Sequence, residues 1–208
     1  MDIAFLVTAF VTMFVIIDPI GMTPLFVALT QGMDPARRRA IALRACIASA
    51  LILALFAAFG EAVLGFAGIS MPAFRIAGGL LLFLTALDML FERRTKRREG
   101  AADRADEDEG DDPSIFPLAI PLIAGPGSIA SVILLSGQQP GPEGLALVVG
   151  VTLSVLVIVL PLFLSAGLLE RALGRTGIIV VTRLLGMLLA ALAVQFVLDG
   201  LRGFGLAG

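Results

Sequence analysis

Seven residues, Asp18-Pro19-Ile20-Gly21-Met22-Thr23-Pro24, interrupt an apolar run that otherwise extends from Met1 to Thr30. Proline lacks the amide N–H and clashes with the preceding helical turn. It also pushes the residue before it, here Asp18, out of the α region. A helix broken inside a bilayer frees backbone groups that lipid cannot bond, so such a break is buried in protein or lines a wet cavity. Thr23-Pro24 reads as a fresh helix start, with the hydroxyl at the N-cap and proline at the first helical position. A second break answers the first. Ala124-Gly125-Pro126-Gly127-Ser128 interrupts the apolar segment 115–136, and Ser128, or Gly127 before it, reads as the cap of a new half-helix. Two broken helices at matching places point to a transporter binding site near the bilayer midplane.

The remainder of the chain supplies the membrane context. Of its 208 residues, 58% are hydrophobic and 15% charged, whereas a soluble domain carries about a quarter charged residues. Six segments approach the ~20 apolar residues that a crossing needs: roughly 2–30, 41–59, 74–91, 115–136, 145–166 and 178–198. The first runs to 29 residues, or ~43 Å of helix against a ~30 Å core, and its break absorbs the excess. The expectation is an all-α integral membrane protein of six transmembrane helices. With no His and a single cysteine, Cys46, the chain has no His-based metal site, Ser-His protease or disulfide framework. It reads as a non-enzyme without a cofactor, with Cys46 as an apolar helix filler. The opening Met1-Asp2, lacking a basic n-region, does not read as a signal peptide.

Basic residues set the expected orientation. Arg37, Arg38 and Arg39 follow the first segment, Arg93, Arg94, Lys96, Arg97 and Arg98 the third, and Arg171 and Arg175 the fifth. The alternate loops hold Glu61 and Glu143 and no Lys or Arg. The positive-inside rule then places both termini outside, as in a multi-pass protein of a bacterial inner membrane. Residues 92–114 begin basic and turn acidic (Asp106-Glu107-Asp108-Glu109). They read as a solvated cytoplasmic linker whose basic part touches anionic lipid. This cluster is too short, and too close to acids, to bind nucleic acid.

The linker divides two similar halves, residues 1–91 and 115–208. Pro19 aligns with Pro126 at an offset of 126 − 19 = 107, and Arg75-Ile76-Ala77-Gly78-Gly79 with Arg183-Leu184-Leu185-Gly186-Met187 at 183 − 75 = 108. Leu55-Phe56 and Gly60 align with Leu162-Phe163 and Gly167, at 167 − 60 = 107. Each half holds three spans, an odd number, so the second half runs inverted relative to the first.

Several of these stretches carry a resemblance. Asp18-Pro19-Ile20-Gly21-Met22-Thr23-Pro24-Leu25-Phe26, Ile69-Ser70-Met71-Pro72 with Arg75-Ile76-Ala77-Gly78-Gly79, Pro117-Leu118-Ala119-Ile120-Pro121 with Ala124-Gly125-Pro126-Gly127-Ser128, and Arg183-Leu184-Leu185-Gly186 with Gln195-Phe196 resemble the MarC family of bacterial integral membrane proteins. The resemblance covers nearly the whole chain. It implies six spans in the inner membrane and, for some members, transport of small neutral amino acids. The chain departs from it at Met22, where many relatives carry Asn.

The residue chemistry of the breaks fits a zwitterion. A half-helix that starts inside the membrane aims N–H groups and about half a positive charge at the break, which suits a carboxylate. Asp18, Pro19, Gly21 and Thr23 in the first break, with Gly125, Pro126, Gly127 and Ser128 in the second, are the candidate substrate-binding residues. The glycines would admit the ligand closely. Asp18, the one ionisable residue of the breaks, can take an ammonium, a cation or a proton, and an acid at that depth is a functional candidate by default. Arg75 and Arg183 read as interface anchors, Gln195 as packing glue between helices, and Asp88 as half of an interfacial ion pair. Three readings compete: a secondary transporter of small neutral amino acids, a passive channel or exporter for another small solute, and a non-transport scaffold. The scaffold reading makes the loops, rather than the breaks, carry the phenotype. The orientation is directly testable. Reporter fusions after Gly100 and at Gly208 are expected to give opposite compartment signals, and identical signals reject six spans in this orientation.

Overall fold

The computed structural model describes residues 3–93 and 112–206. The interior of the 92–114 linker, with its acidic run, lies outside the described residues. In chain order, the helices are α1 Ile3–Ile17, α2 Thr23–Leu29, α3 Pro35–Phe66 and α4 Met71–Leu90. A wide-turned segment Ser114–Ile123 follows, then α5 Pro126–Ser136, α6 Pro142–Leu164 and α7 Ala166–Gly203. No strand occurs among the described residues.

Local chemistry explains the starts. Pro35 opens α3 behind Asp34, whose carboxylate accepts the Ala36 and Arg37 N–H groups at 2.9 and 3.0 Å. Ser70 accepts the Ala73 N–H at 3.3 Å ahead of Pro72 in α4. Proline is tolerated there because the first-turn N–H has no intrahelical partner anyway. Four helices, α3, α4, α6 and α7, are long and apolar enough to cross a membrane. The wide-turned segment and α5, bent by 55°, make a fifth crossing if counted as one broken span. Leu51, Val157 and Leu184 are more than half exposed on the bundle surface, as lipid-facing side chains are. The chain is an all-helical multi-pass membrane protein.

The first segment breaks where the sequence reading puts it, between Ile17 and Thr23. α1 has 15 residues and α2 only 7, because Asp18 closes the former and a Thr30 turn ends the latter. The loop expected after segment five is partly helical, with its break at Gly174. α7 runs through Arg171 and Arg175 and absorbs the change of direction at Gly174, whose φ of 63° is the left-handed conformation that glycine tolerates.

Packing between the halves follows glycine notches. A Cβ on Gly79 of α4 would meet the Ala193 carbonyl and Val197 of α7 at 2.7 Å. A Cβ on Gly186 of α7 would meet Met89 and the Ala86 carbonyl of α4 at 3.0 and 3.3 Å. These contacts share one antiparallel register. Gly200 against Pro72 and Ile76 extends the same antiparallel register. Small residues let helix backbones approach where lipid provides no hydrophobic drive between helices. α5 is buried almost throughout, notched into α3 where Ile133 fills the space over Gly60 and into α4 where Leu134 fills that over Gly78.

At the bundle end that holds the linker, Arg183 pairs with Glu92 and Arg44 with Asp112. Burial pushes the Asp112 carboxyl up, but Ser114 and Arg44 outweigh it and hold the group below the usual carboxylate range. Glycine substitutions separate packing from backbone freedom. Gly79→Ala drives a methyl into the α7 backbone and is expected to destabilise by about 1–3 kcal/mol in detergent thermal unfolding. Gly150→Ala, mid-helix in α6 with nothing within 4 Å of the new methyl, is expected to stabilise by about 0.5–1 kcal/mol. Equal effects would show that the α4–α7 contact is not tight.

Candidate functional site

The first break is built around Asp18. Its N–H still donates to the Phe14 carbonyl at 2.9 Å, so it completes α1. Its φ of 54° then turns the chain into the left-handed region, at a cost of about 1–2 kcal/mol for a residue with a Cβ. Aspartate accepts this conformation because its short side chain can bond nearby backbone. Oδ1 accepts the Gly21 N–H at 3.1 Å. A Cβ on Gly21 would stand 2.2 Å from Asp18 Oδ2, so glycine is required by the chain's own carboxylate.

This arrangement revises the first anion site. The Met22 and Thr23 N–H groups donate to the Asp18 and Ile20 carbonyls at 3.1 and 3.2 Å. The Gly21 N–H is held by a carboxylate already present. Thr23 is not the N-cap either. Met22 occupies that position, and the Thr23 hydroxyl donates to the Ile20 carbonyl at 2.7 Å. The helix starts one residue early because the tight turn at 18–22 is already hydrogen-bonded.

The second break is wider. Phe116 and Ile120 are extended (φ −123°, ψ 124°) within the segment, and the Phe116-Pro117 and Ile120-Pro121 peptides are cis. Gly125 is the N-cap of α5 and Pro126 its first residue. Ser128 is therefore inside the helix, where its hydroxyl donates to the Ile123 carbonyl at 2.7 Å instead of capping. The two glycines face protein. A Cβ on Gly125 would meet the Pro121 carbonyl at 2.3 Å, and one on Gly127 would meet Ile16 at 2.8 Å. The Gly127 contact brings the start of α5 against the last turn of α1, two residues before Asp18.

Asp18 and Thr23 are fully buried, as is Ser128 but for 2%. Sequence reasoning missed one partner. Thr182, buried in α7, places its hydroxyl 3.5 Å from Asp18 Oδ1, across 164 residues of chain. Its only trace in the sequence is a hydroxyl next to Arg183 in an otherwise apolar span. Asp18 thus lies between its own break and the last helix of the second half, with α5 beginning alongside. Two other readings are corrected by partners. The Gln195 amide donates to Asp199 in its own helix at 2.9 Å, not across helices. Arg75 is more than an interface anchor, since its Nη2 donates to the Gly137 carbonyl at the end of α5 at 3.1 Å.

Fold and site define a polytopic helical membrane protein with a buried acid where two discontinuous segments meet. The profile of the MarC family integral membrane proteins matches residues 3–204, and the chain belongs to that family. A UPF0056 membrane protein of Methanocaldococcus jannaschii is 38% identical over 207 residues, 98% of each chain. The UPF0056 membrane protein YvbG of Bacillus subtilis is 37% identical, over 98% of this chain and 97% of its own. The UPF0056 inner membrane protein YhgN of Escherichia coli K12 is 35% identical, over 95% and 96%. No solved structure matches the chain.

The coupling of Asp18 to its surroundings can be measured. Gly21→Ala displaces the carboxylate from one side, and Thr182→Val removes the hydroxyl on the other. Because both act through Asp18, their effects on thermal unfolding are expected to be non-additive by about 0.5–3 kcal/mol. Strict additivity would mean that the two residues do not share it.

Proposed function

We propose that this protein is a secondary transporter of small neutral amino acids, working by alternating access between two inverted halves in the plasma membrane. The observation that carries the reading is Asp18, a fully buried acid held in a left-handed turn and touched by a hydroxyl from the opposite half. A charge in such a place is costly and stays only for a partner or a proton. A zwitterion supplies both signs. Asp18 answers its ammonium or carries a coupling proton. The N-terminus of α5, 11 residues long, is the positive end available for the carboxylate.

The Pro19–Pro126 offset and the antiparallel packing of α4 on α7 fit an inverted duplication, and the arginine distribution supports six crossings with both termini outside. The name of the Escherichia coli relative, an inner membrane protein, supports the compartment. Burial of Asp18, Thr23 and Ser128 fits a closed conformation, which alternating access requires at one stage of the cycle.

The test is uptake of a labelled amino-acid panel into reconstituted vesicles, with proton and sodium gradients imposed separately, for the wild type and Asp18→Asn. If Asp18 couples protons, the variant loses gradient-driven accumulation and keeps exchange. If it holds the ammonium, binding itself weakens by about 2–5 kcal/mol. An Asp18→Asn protein with unchanged binding and accumulation would reduce Asp18 to a turn former and defeat the proposal.

A further inference from the structure

The two ends of the described chain meet at one cavity. It has a volume of about 680 Å³ and is lined by Thr8 of α1, Arg75 of α4, Gln138 and Gln139 after α5, and Asp199 and Arg202 of α7, among others. It is an open depression at this end of the bundle. Its charges are of both signs and fixed at both ends. Arg75 is steadied by the Gly137 carbonyl, while its Nε is buried without an acceptor. The Asp199 carboxylate is held by Gln195 at 2.9 Å and Arg202 at 3.4 Å. Arg75 and Asp199 both line the cavity and together carry the two signs of charge that a small zwitterion needs.

The helices below the cavity carry a second observation. Thr8, Thr12 and Ile16 recur every four residues and so share one face of α1. Ile16 meets Gly127 at the start of α5. From that contact α5 runs the opposite way, toward Gly137, whose Cβ position lies against Met71 and Glu61, and then to Gln138 and Gln139 at the cavity. One turn along each helix from the Ile16–Gly127 contact stand Thr12 and Ser131. Both are fully buried, and neither hydroxyl has a hydrogen-bond partner.

Ser49, Ser114 and Ser136 are also buried without a hydrogen-bond partner, but Thr12 and Ser131 are the two that lie on facing helices next to the Ile16–Gly127 contact. Thr30, Thr85, Thr152 and Ser165 each donate to the carbonyl four residues back. A helical Ser or Thr has that local bond within reach, and leaving a buried hydroxyl without it costs free energy. Two such hydroxyls on facing helices, between a charged cavity and a buried acid, mark a path that is shut in this conformation and hydrated or ligand-filled in another.

We infer that the cavity is the vestibule of the permeation route on the face that carries both termini, and that Thr12 and Ser131 line the constriction between it and Asp18. The vestibule receives a small zwitterion, with its carboxylate on Arg75 and its ammonium on Asp199. This rests on the transport reading for the ligand, but the route itself can be tested without any substrate.

In a Cys46→Ala background, single Thr12→Cys and Ser131→Cys variants in vesicles of known orientation are treated with a membrane-impermeant cationic thiol reagent. Leu51→Cys, on the lipid-exposed surface of α3, serves as the control. Both cysteines are expected to react at least ten-fold faster than the control, and only from the face that carries the termini. L-alanine is expected to slow the reaction at least ten-fold. Arg75→Gln is expected to abolish that protection, and Arg75→Lys to keep part of it. Reaction no faster than the control at both positions, or reaction from the opposite face, overturns the route. Fast reaction without alanine protection in the wild type keeps the route and overturns the zwitterion, and the failure then lies in the transport reading. Protection that survives in Arg75→Gln overturns the assignment to Arg75 alone.

Discussion

A broken helix in a bilayer must satisfy its freed backbone groups from within the protein, since lipid offers no hydrogen bonds. Both breaks here meet that demand locally. The Asp18 carboxylate takes the Gly21 N–H, and the Thr23 and Ser128 hydroxyls take the Ile20 and Ile123 carbonyls. Local satisfaction is not enough, because an irregular backbone also needs protein around it. That cover comes from α5, which is admitted by notches at Gly60, Gly78 and Gly127. Removing a notch would leave α5 with nowhere to pack and would expose the second break.

Of the two breaks only the first holds an ionisable side chain, Asp18. In the first, the Asp18 carboxyl already accepts the Gly21 N–H. The second has no ionisable side chain and begins an 11-residue helix. A ligand with one charge of each sign suits that difference. A purely anionic ligand would have to displace or neutralise Asp18, and a purely cationic one would leave the α5 terminus unused. The resident carboxylate therefore narrows the chemistry that the transport reading admits.

α4 and α7 pack antiparallel on small residues, with Gly79 against Ala193 and Gly186 against Ala86. Polar bonds hold α7 as well: Arg183 pairs with Glu92 just past α4, and Thr182 reaches Asp18 in the first break.

What the sequence determined by itself is what depends on short-range chemistry. The apolar lengths define a helical membrane protein, and prolines and glycines place the breaks at 18–24 and 124–128. The family was legible in the same motifs. The tertiary structure alone decided which groups meet. It turned Thr23 and Ser128 from caps into ties to the preceding backbone, and it aimed the glycines at protein. It made the stretch expected to be a loop partly helical, with a break at Gly174. It also brought Thr182 to Asp18 over a separation of 164 residues. Periodicity reports which face of a helix is apolar, but not which helix lies against it. Thr182 and Arg75 acquire their meaning from partners that a one-dimensional pattern does not contain.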